Sequence, residues 1–212
     1  VTLLEDGLPL AYAPYGDNAS YFHPPIERYA SIEVLKGASS LAYGPQTIGG
    51  IVNYVTPAAP EDFGGHVQLI GGNRDYGALH ARVGGSGLLA DYVHKQGDGA
   101  RDNSDHRLDD LNLKFSRQLT DTQSVTLRAN LYQEDSTVTY AGLTQAEFTR
   151  LGARYNPFEN DGFETRRLGL SASHRWSLAP SVTLATSAWY SHFDRDSVSY
   201  THLRAHETGR NL

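Results

Sequence analysis

The chain of 212 residues has no cysteine and no methionine. The first absence excludes a disulfide scaffold, a thiolate metal site and a cysteine nucleophile. The second predicts that the chain begins inside a longer gene product or after a cut. Positive charge is also short: 18 Lys plus Arg stand against 24 Asp plus Glu, a formal net charge of −6. That balance argues against a nucleic-acid partner, which calls for a basic face. There is no apolar run near 18 residues, and mean hydropathy is −0.45, so no transmembrane helix is expected. A membrane is not thereby excluded, because a β-barrel hides its apolar band in alternation. No signal peptide is read at the start, where Val1-Thr2-Leu3-Leu4 runs at once into Glu5-Asp6-Gly7, a strand entering a hairpin.

What is present is glycine, 21 residues, and tyrosine, 13, a composition suited to many strands and tight turns. Residues 1–60 hold seven of the nine prolines and two β-rich runs, 31–35 and 48–55. The second has paired glycines, which permit a bulge or close backbone approach. Pro57-Ala58-Ala59-Pro60 reads as a linker. From Phe63 on, alternation is regular. Leu111, Leu113 and Phe115 alternate with Asn112 and Lys114, and Val125, Leu127, Ala129 and Leu131 with Thr126, Arg128 and Asn130. Period 2 predicts strands with one apolar and one polar face. Seven are expected, near 65–72, 75–85, 88–97, 108–118, 123–134, 164–177 and 181–195. The apolar members should face outward and Asn112, Lys114, Thr126 and Arg128 inward. After a first hairpin at Asn73-Arg74, long connections (98–107, 135–163) take turns with short ones (86–87, 119–122, 178–180). Outer-membrane barrels segregate loop length in that way, and a soluble β-sandwich has no reason to.

The string at 29–57, YASIEVLKGASSLAYGPQTIGGIVNYVTP, resembles the end of the plug domain of TonB-dependent outer-membrane receptors. The family shows an Ile-Glu-Val strand, an Arg-Gly, a small helix, Tyr-Gly, and Gly-Gly-hydrophobic-Asn before the barrel. Lys36 stands where Arg is usual. It lacks the planar fork of Arg, so a plug–wall ion pair there would be looser. Within the family the chain is most similar to ferric-citrate (iron dicitrate) receptors, through Leu4-Glu5-Asp6-Gly7, Ala13-Pro14-Tyr15-Gly16, Tyr43-Gly44-Pro45-Gln46, Leu108-Asp109-Asp110-Leu111 and Ala141-Gly142-Leu143-Thr144. The resemblance implies an all-β-dominated fragment. Residues 1–60 would be the C-terminal part of the plug and 61–197 the first seven or so antiparallel strands of a large transmembrane β-barrel. The stretch 198–208, VSYTHLRAHET, matches the in-frame translation of a transposase-type sequencing adapter, so 198–212 is expected to be a non-native tail that packs on nothing.

The nine His stand singly, except for His202 and His206 in the suspect tail. No metal site is expected, and no cofactor, with iron arriving as a chelate. The acidic loop 98–105 lacks the Asp-x-Asp-x-Asp-Gly frame of a calcium loop and reads as solvated. Asp109 and Asp110 begin a strand and point to opposite faces. No Gly-x-Ser-x-Gly elbow or phosphate loop occurs, so no enzyme is expected. By resemblance, 10–25 is an apical plug loop offering Tyr12 and Tyr15, and Gln46 lies in a second apical loop. Arg74 and Arg101 are further ligand candidates, among a set that includes Arg107, Arg150 and Arg154, because an anionic ferric chelate calls for guanidinium. The resemblance thus implies a bacterial outer-membrane receptor that imports a ferric chelate. It would be driven by the TonB complex through an upstream plug segment and surrounded by outer-membrane lipid. Receptors for another siderophore, cobalamin or carbohydrate share these plug motifs. A non-transporting barrel and a secreted glycan-binding β-protein are more distant readings.

Overall fold

A computed structural model describes residues 1–10, 22–37, 43, 47, 49–139 and 142–198. Two sheets are formed. The first has four short strands: β1 (Thr2–Glu5), β2 (Leu8–Pro9), β3 (Ser31–Leu35) and β4 (Ile51–Val55), in the order β2-β1-β4-β3. Asp6 and Gly7, at φ 50° and 80°, close the β1–β2 hairpin. Two successive positive φ values make the tight turn that Asp-Gly favours. β4 runs parallel to β1 and antiparallel to β3. A 3-10 turn, Ile26–Arg28, precedes β3.

The second sheet is a seven-stranded antiparallel meander in strict sequence order: β5 (Gly64–Gly71), β6 (Gly77–Gly85), β7 (Leu88–Asp98), β8 (Asp105–Thr120), β9 (Gln123–Ser136), β10 (Gly162–Ala179) and β11 (Val182–Val198). These are the seven strands that period 2 predicts. Several run one to three residues longer, because ladder pairing continues past the last regularly alternating residues. The 18 residues of β10 extend about 59 Å at roughly 3.3 Å per residue, enough to cross a bilayer at a tilt and project beyond it. The connections at 72–76, 99–104 and 137–161 lie at one end of the sheet; the tight turns at 86–87, 121–122 and 180–181 lie at the other.

Three expectations need adjustment. The first hairpin turns at Arg74 and Asp75, both at positive φ, one residue later than Asn73-Arg74. The 137–161 connection is not bare loop but carries a helix, α1 (Gln145–Leu151), begun by a reciprocal cap between Thr144 and Glu147. That cap signature is legible in the sequence, but the apolar run behind it is too short to draw attention. Finally Val198 pairs with Gly162 and belongs to β11; residues 199–212 lie outside the described residues.

Cross-strand register sorts the side chains. Leu111↔Leu131↔Leu168, Leu113↔Ala129↔Leu170 and Phe115↔Leu127↔Ala172 form apolar rows on one face. Leu113, Leu127 and Leu131 there are about half exposed. Asn112↔Asn130 and Lys114↔Arg128 form polar rows on the other, which covers the small sheet. Among the described residues, buried polar and charged side chains outnumber buried apolar ones. The apolar cluster against the large sheet is small: Leu10, just after β2, and Phe22, before the 3-10 turn, pack on Tyr132 of β9, with Phe22 and Tyr132 edge to face at 4.8 Å.

Candidate functional site

The inner face of β8 and β9 cannot satisfy itself. Lys114 and Arg128 stand directly opposite each other, and facing like charges repel. Close by on the same face, Asp110 is fully buried. The small sheet supplies what is missing. Its Asp-Gly turn projects Glu5 and Asp6 against the two cations. Arg128 donates to Glu5 Oε2 at 2.7 Å and to Asp6 Oδ2 at 2.8 Å, and Lys114 Nζ lies 3.3 Å from Asp6 Oδ2. Thr56, which follows β4, holds Asp6 through its amide (2.8 Å) and hydroxyl (2.6 Å).

Arg28 answers the buried carboxylate. Its Nη1 donates to both oxygens of Asp110, at 2.9 and 2.8 Å, while Nη2 donates to Glu5 Oε1. Tyr29 adds its hydroxyl to Glu5 Oε1 at 3.0 Å. Asp110 also accepts from Asn112 (3.0 Å) and Asn130 (2.7 Å). Asn130 Oδ1 in turn accepts from Arg167 of β10 at 2.6 Å, and the Arg167 guanidinium covers the Phe22 ring at 4.7 Å. Arg28, Glu5 and Asp110 are each at most 1% exposed. Charges so deeply buried are tolerated only when paired and hydrogen-bonded.

Burial alone would push the Glu5 carboxyl up, but Arg28, Arg128 and Arg167 outweigh it and hold the group below the ordinary carboxylate range. Asp6 is likewise lowered: burial opposes ionisation, and Lys114, the Thr56 bonds and Arg128 prevail. Burial disfavours the Arg28 charge, yet Glu5 and Asp110 reverse this and raise its pKa further. Burial and the Glu5 carboxylate push the Tyr29 hydroxyl well up.

Two further ties fix the 3-10 turn before β3 to the large sheet. Lys95 of β7 pairs with Glu27 at 2.7 Å, and Arg82 of β6 donates to the Glu27 carbonyl at 3.2 Å. The segment after β4 is strapped to the 86–87 turn, with Ser86 N donating to Glu61 O (2.8 Å), Gly87 N to Pro60 O (2.9 Å) and Lys114 Nζ to Pro57 O (3.0 Å). Lys36 is exposed and takes part in none of these pairs.

Of the ligand candidates, Tyr12, Tyr15 and Gln46 lie outside the described residues. Arg74 and Arg101 lie at the rim of long connections. Arg74 Nη1 donates to Gly99 O at 3.0 Å, so it reaches the loop that carries Arg101. The Ser104 hydroxyl accepts from the Arg101 amide and donates to the Arg101 carbonyl. Arg154 ties that loop to the 137–161 connection through Asp102 at 3.0 Å. Asp109 and Asp110 do point to opposite faces: Asp109 meets Tyr92 and His94, and Asp110 meets Arg28. Sequence reasoning missed the Glu5–Arg28–Asp110–Arg128 network. Its only advance sign was acidic residues in a turn and an acidic pair in a strand otherwise read as barrel.

Residues 1–51 match the TonB-dependent receptor plug domain; they hold β1, β2 and β3 of the small sheet and reach the first residue of β4. The chain is 39% identical over 46 residues to the iron-regulated outer membrane virulence protein of Vibrio cholerae serotype O1, covering 22% of this chain and 7% of that protein. It superposes on the unliganded ferric citrate transporter FecA with a TM-score of 0.81 and 25% identity, over 94% of this chain and 32% of that one. The siderophore receptor PiuA from Acinetobacter baumannii matches in fold, with a TM-score of 0.71 and 16% identity over 92% of this chain and 29% of that one. The chain thus spans about a third of the solved receptors it matches. It carries a plug segment and strands like those of TonB-dependent receptor barrels, and its place is the outer membrane.

Proposed function

We propose that the chain is part of an active-transport receptor that binds an anionic ferric chelate of the ferric-citrate type and imports it with TonB-derived energy. The observation that carries this reading is the superposition on the ferric citrate transporter over 94% of the chain, with a plug held to the wall by charge rather than by an apolar core. Such an interface suits a plug that must leave its seat: separated charges can be rehydrated, whereas a large buried apolar face would cost its full hydrophobic stabilisation. In this reading residues 1–60 are plug and 61–198 are barrel. Tyr12, Tyr15 and Gln46 converge on the ligand at the plug apex, and Arg74 and Arg101 stand at the extracellular rim. The TonB complex supplies the energy by acting on the plug. No bond of the ligand is made or broken, and ligand binding favours one plug arrangement over another.

The alternative is a receptor of the same class for another siderophore, cobalamin or a carbohydrate. Equilibrium titration of the receptor with ferric citrate separates the two. Binding that weakens by roughly 1 kcal/mol or more in Gln46→Ala, the scale of a hydrogen bond to a charged group, supports the ferric-citrate reading. Equal affinity of variant and parent removes Gln46 from the site. No binding by the parent removes the substrate.

A further inference from the structure

His66 of β5 and His80 of β6 are 14 residues apart, and each looks solitary in the sequence. Their strands pair His66 with Arg82 and Gln68 with His80, so the two imidazoles are diagonal neighbours on the inner face. His66 Nε2 lies 3.5 Å from His80 Nδ1. The rings meet edge to face, 85° apart, with centroids 4.8 Å apart. His80 is 7% exposed, and its other nitrogen, Nε2, is 3.2 and 3.3 Å from the two oxygens of Asp91. Asp91 is 2% exposed and is also bound by Arg82.

The chemistry of the pair follows from its partners. An ionised carboxylate only accepts hydrogen bonds, so the neutral His80 ring carries its proton on Nε2, toward Asp91. Its Nδ1 lone pair is then bare and faces His66 Nε2. At that distance His66 Nε2 either donates its N–H to this lone pair, the ordinary hydrogen bond between two neutral rings, or in its other tautomer brings a second lone pair, and the two nitrogens can then share a cation. Two metal–nitrogen bonds of about 2.0–2.1 Å at a tetrahedral angle separate their nitrogens by about 3.3–3.4 Å, close to the separation seen. A carboxylate on the second nitrogen of a histidine is the usual support of a metal ligand, because it fixes tautomer and ring orientation. The charged groups around His80 are Arg82, Asp91, Lys95 and, from the plug, Glu27. Their formal charges cancel, so an incoming cation is not repelled.

We propose that His66 and His80 form a two-histidine site for a borderline divalent transition-metal ion, Zn(II) or Cu(II), with Asp91 positioning His80. Among the described residues no group of three His, Cys, Asp or Glu is gathered for a metal, so water completes the coordination from the exposed His66 side. This is chemically apart from the ferric chelate, whose iron needs no protein ligand. A bound ion would tie β5 to β6 beside Arg82, the residue that holds the plug at Glu27.

The test is calorimetric titration of the detergent-purified protein with Zn(II), alongside electron paramagnetic resonance with Cu(II). His66 is on the exposed side, so His66→Ala leaves the fold intact and decides the matter even if His80→Ala does not fold. Loss of one ligand is expected to weaken binding about tenfold or more, and Asp91→Asn to weaken it by roughly 10–100-fold. The copper spectrum should fall from two coupled imidazole nitrogens to one in His66→Ala. Zn(II) affinity and copper coupling that are the same in parent and His66→Ala would overturn the proposal, as would a parent that binds neither ion.

Discussion

Arg28→Ala tests whether charge holds the plug to the wall. The substitution removes three hydrogen bonds at once, two to Asp110 and one to Glu5. The two carboxylates are not equally stranded. Glu5 keeps Arg128 and Tyr29, whereas Asp110, with no exposed surface, keeps only the amides of Asn112 and Asn130. One uncompensated buried charge is the dominant cost, roughly 3–5 kcal/mol, and the surviving amides place it near the lower end. Because the chain has no cysteine, Leu10→Cys in the plug–wall cluster gives a single thiol reporter whose own cost cancels between backgrounds. When undocking is fast relative to labelling, thiol modification tracks the open population. A cost of about 3 kcal/mol then corresponds to labelling on the order of 10²-fold faster. Neutralising the stranded partner in Arg28→Ala/Asp110→Asn should recover part of the loss, so the double variant is less damaged than the sum of the singles. Labelling within about threefold of the parent, or strict additivity, would refute the reasoning.

Acid should act through the same network. The folded-state pKa values of Glu5 and Asp6 lie below their free values of 4.5 and 3.8. Their stabilisation is therefore complete above those values and lost as pH falls through the depressed folded ones. Peptic cleavage within 1–60 should stay low down to about pH 4 and rise below it; a rise already near pH 6 would point to histidine instead. Gly169→Ala should loosen the plug edge, because a Cβ there would lie 2.6 Å from Arg167 Nη1 and must push the guanidinium off Asn130 and Phe22. A cost of about 1–3 kcal/mol in the Leu10→Cys assay is expected, against none for Gly142→Ala, where a Cβ meets nothing. Thr144→Ala removes the cap of α1 and should cost that helix about 1 kcal/mol, read as faster amide exchange at Glu147 and Phe148; unchanged exchange would show that the helix is held by its surroundings.

The wall was largely legible in the amino-acid sequence. A strand alternates faces whatever it packs against, so Leu111, Leu113 and Phe115 on one side and Asn112 and Lys114 on the other follow from local geometry. Ladder pairing then lengthened the strands. The hairpin at Asp6-Gly7 was equally local. The plug motif at 29–57 announced its class through residue order alone. What the sequence could not determine was which charges meet. Glu5 and Arg128 are 123 residues apart, and Arg28 and Asp110 are 82 apart. No periodicity couples such positions, and each residue alone reads as a solvated surface charge. Only the parallel pairing of β1 with β4, and the seating of that sheet on the inner face of β8 and β9, turns them into a buried network. The same holds for His66 and His80, solitary in the sequence and neighbours only once strand register brings their side chains to one face.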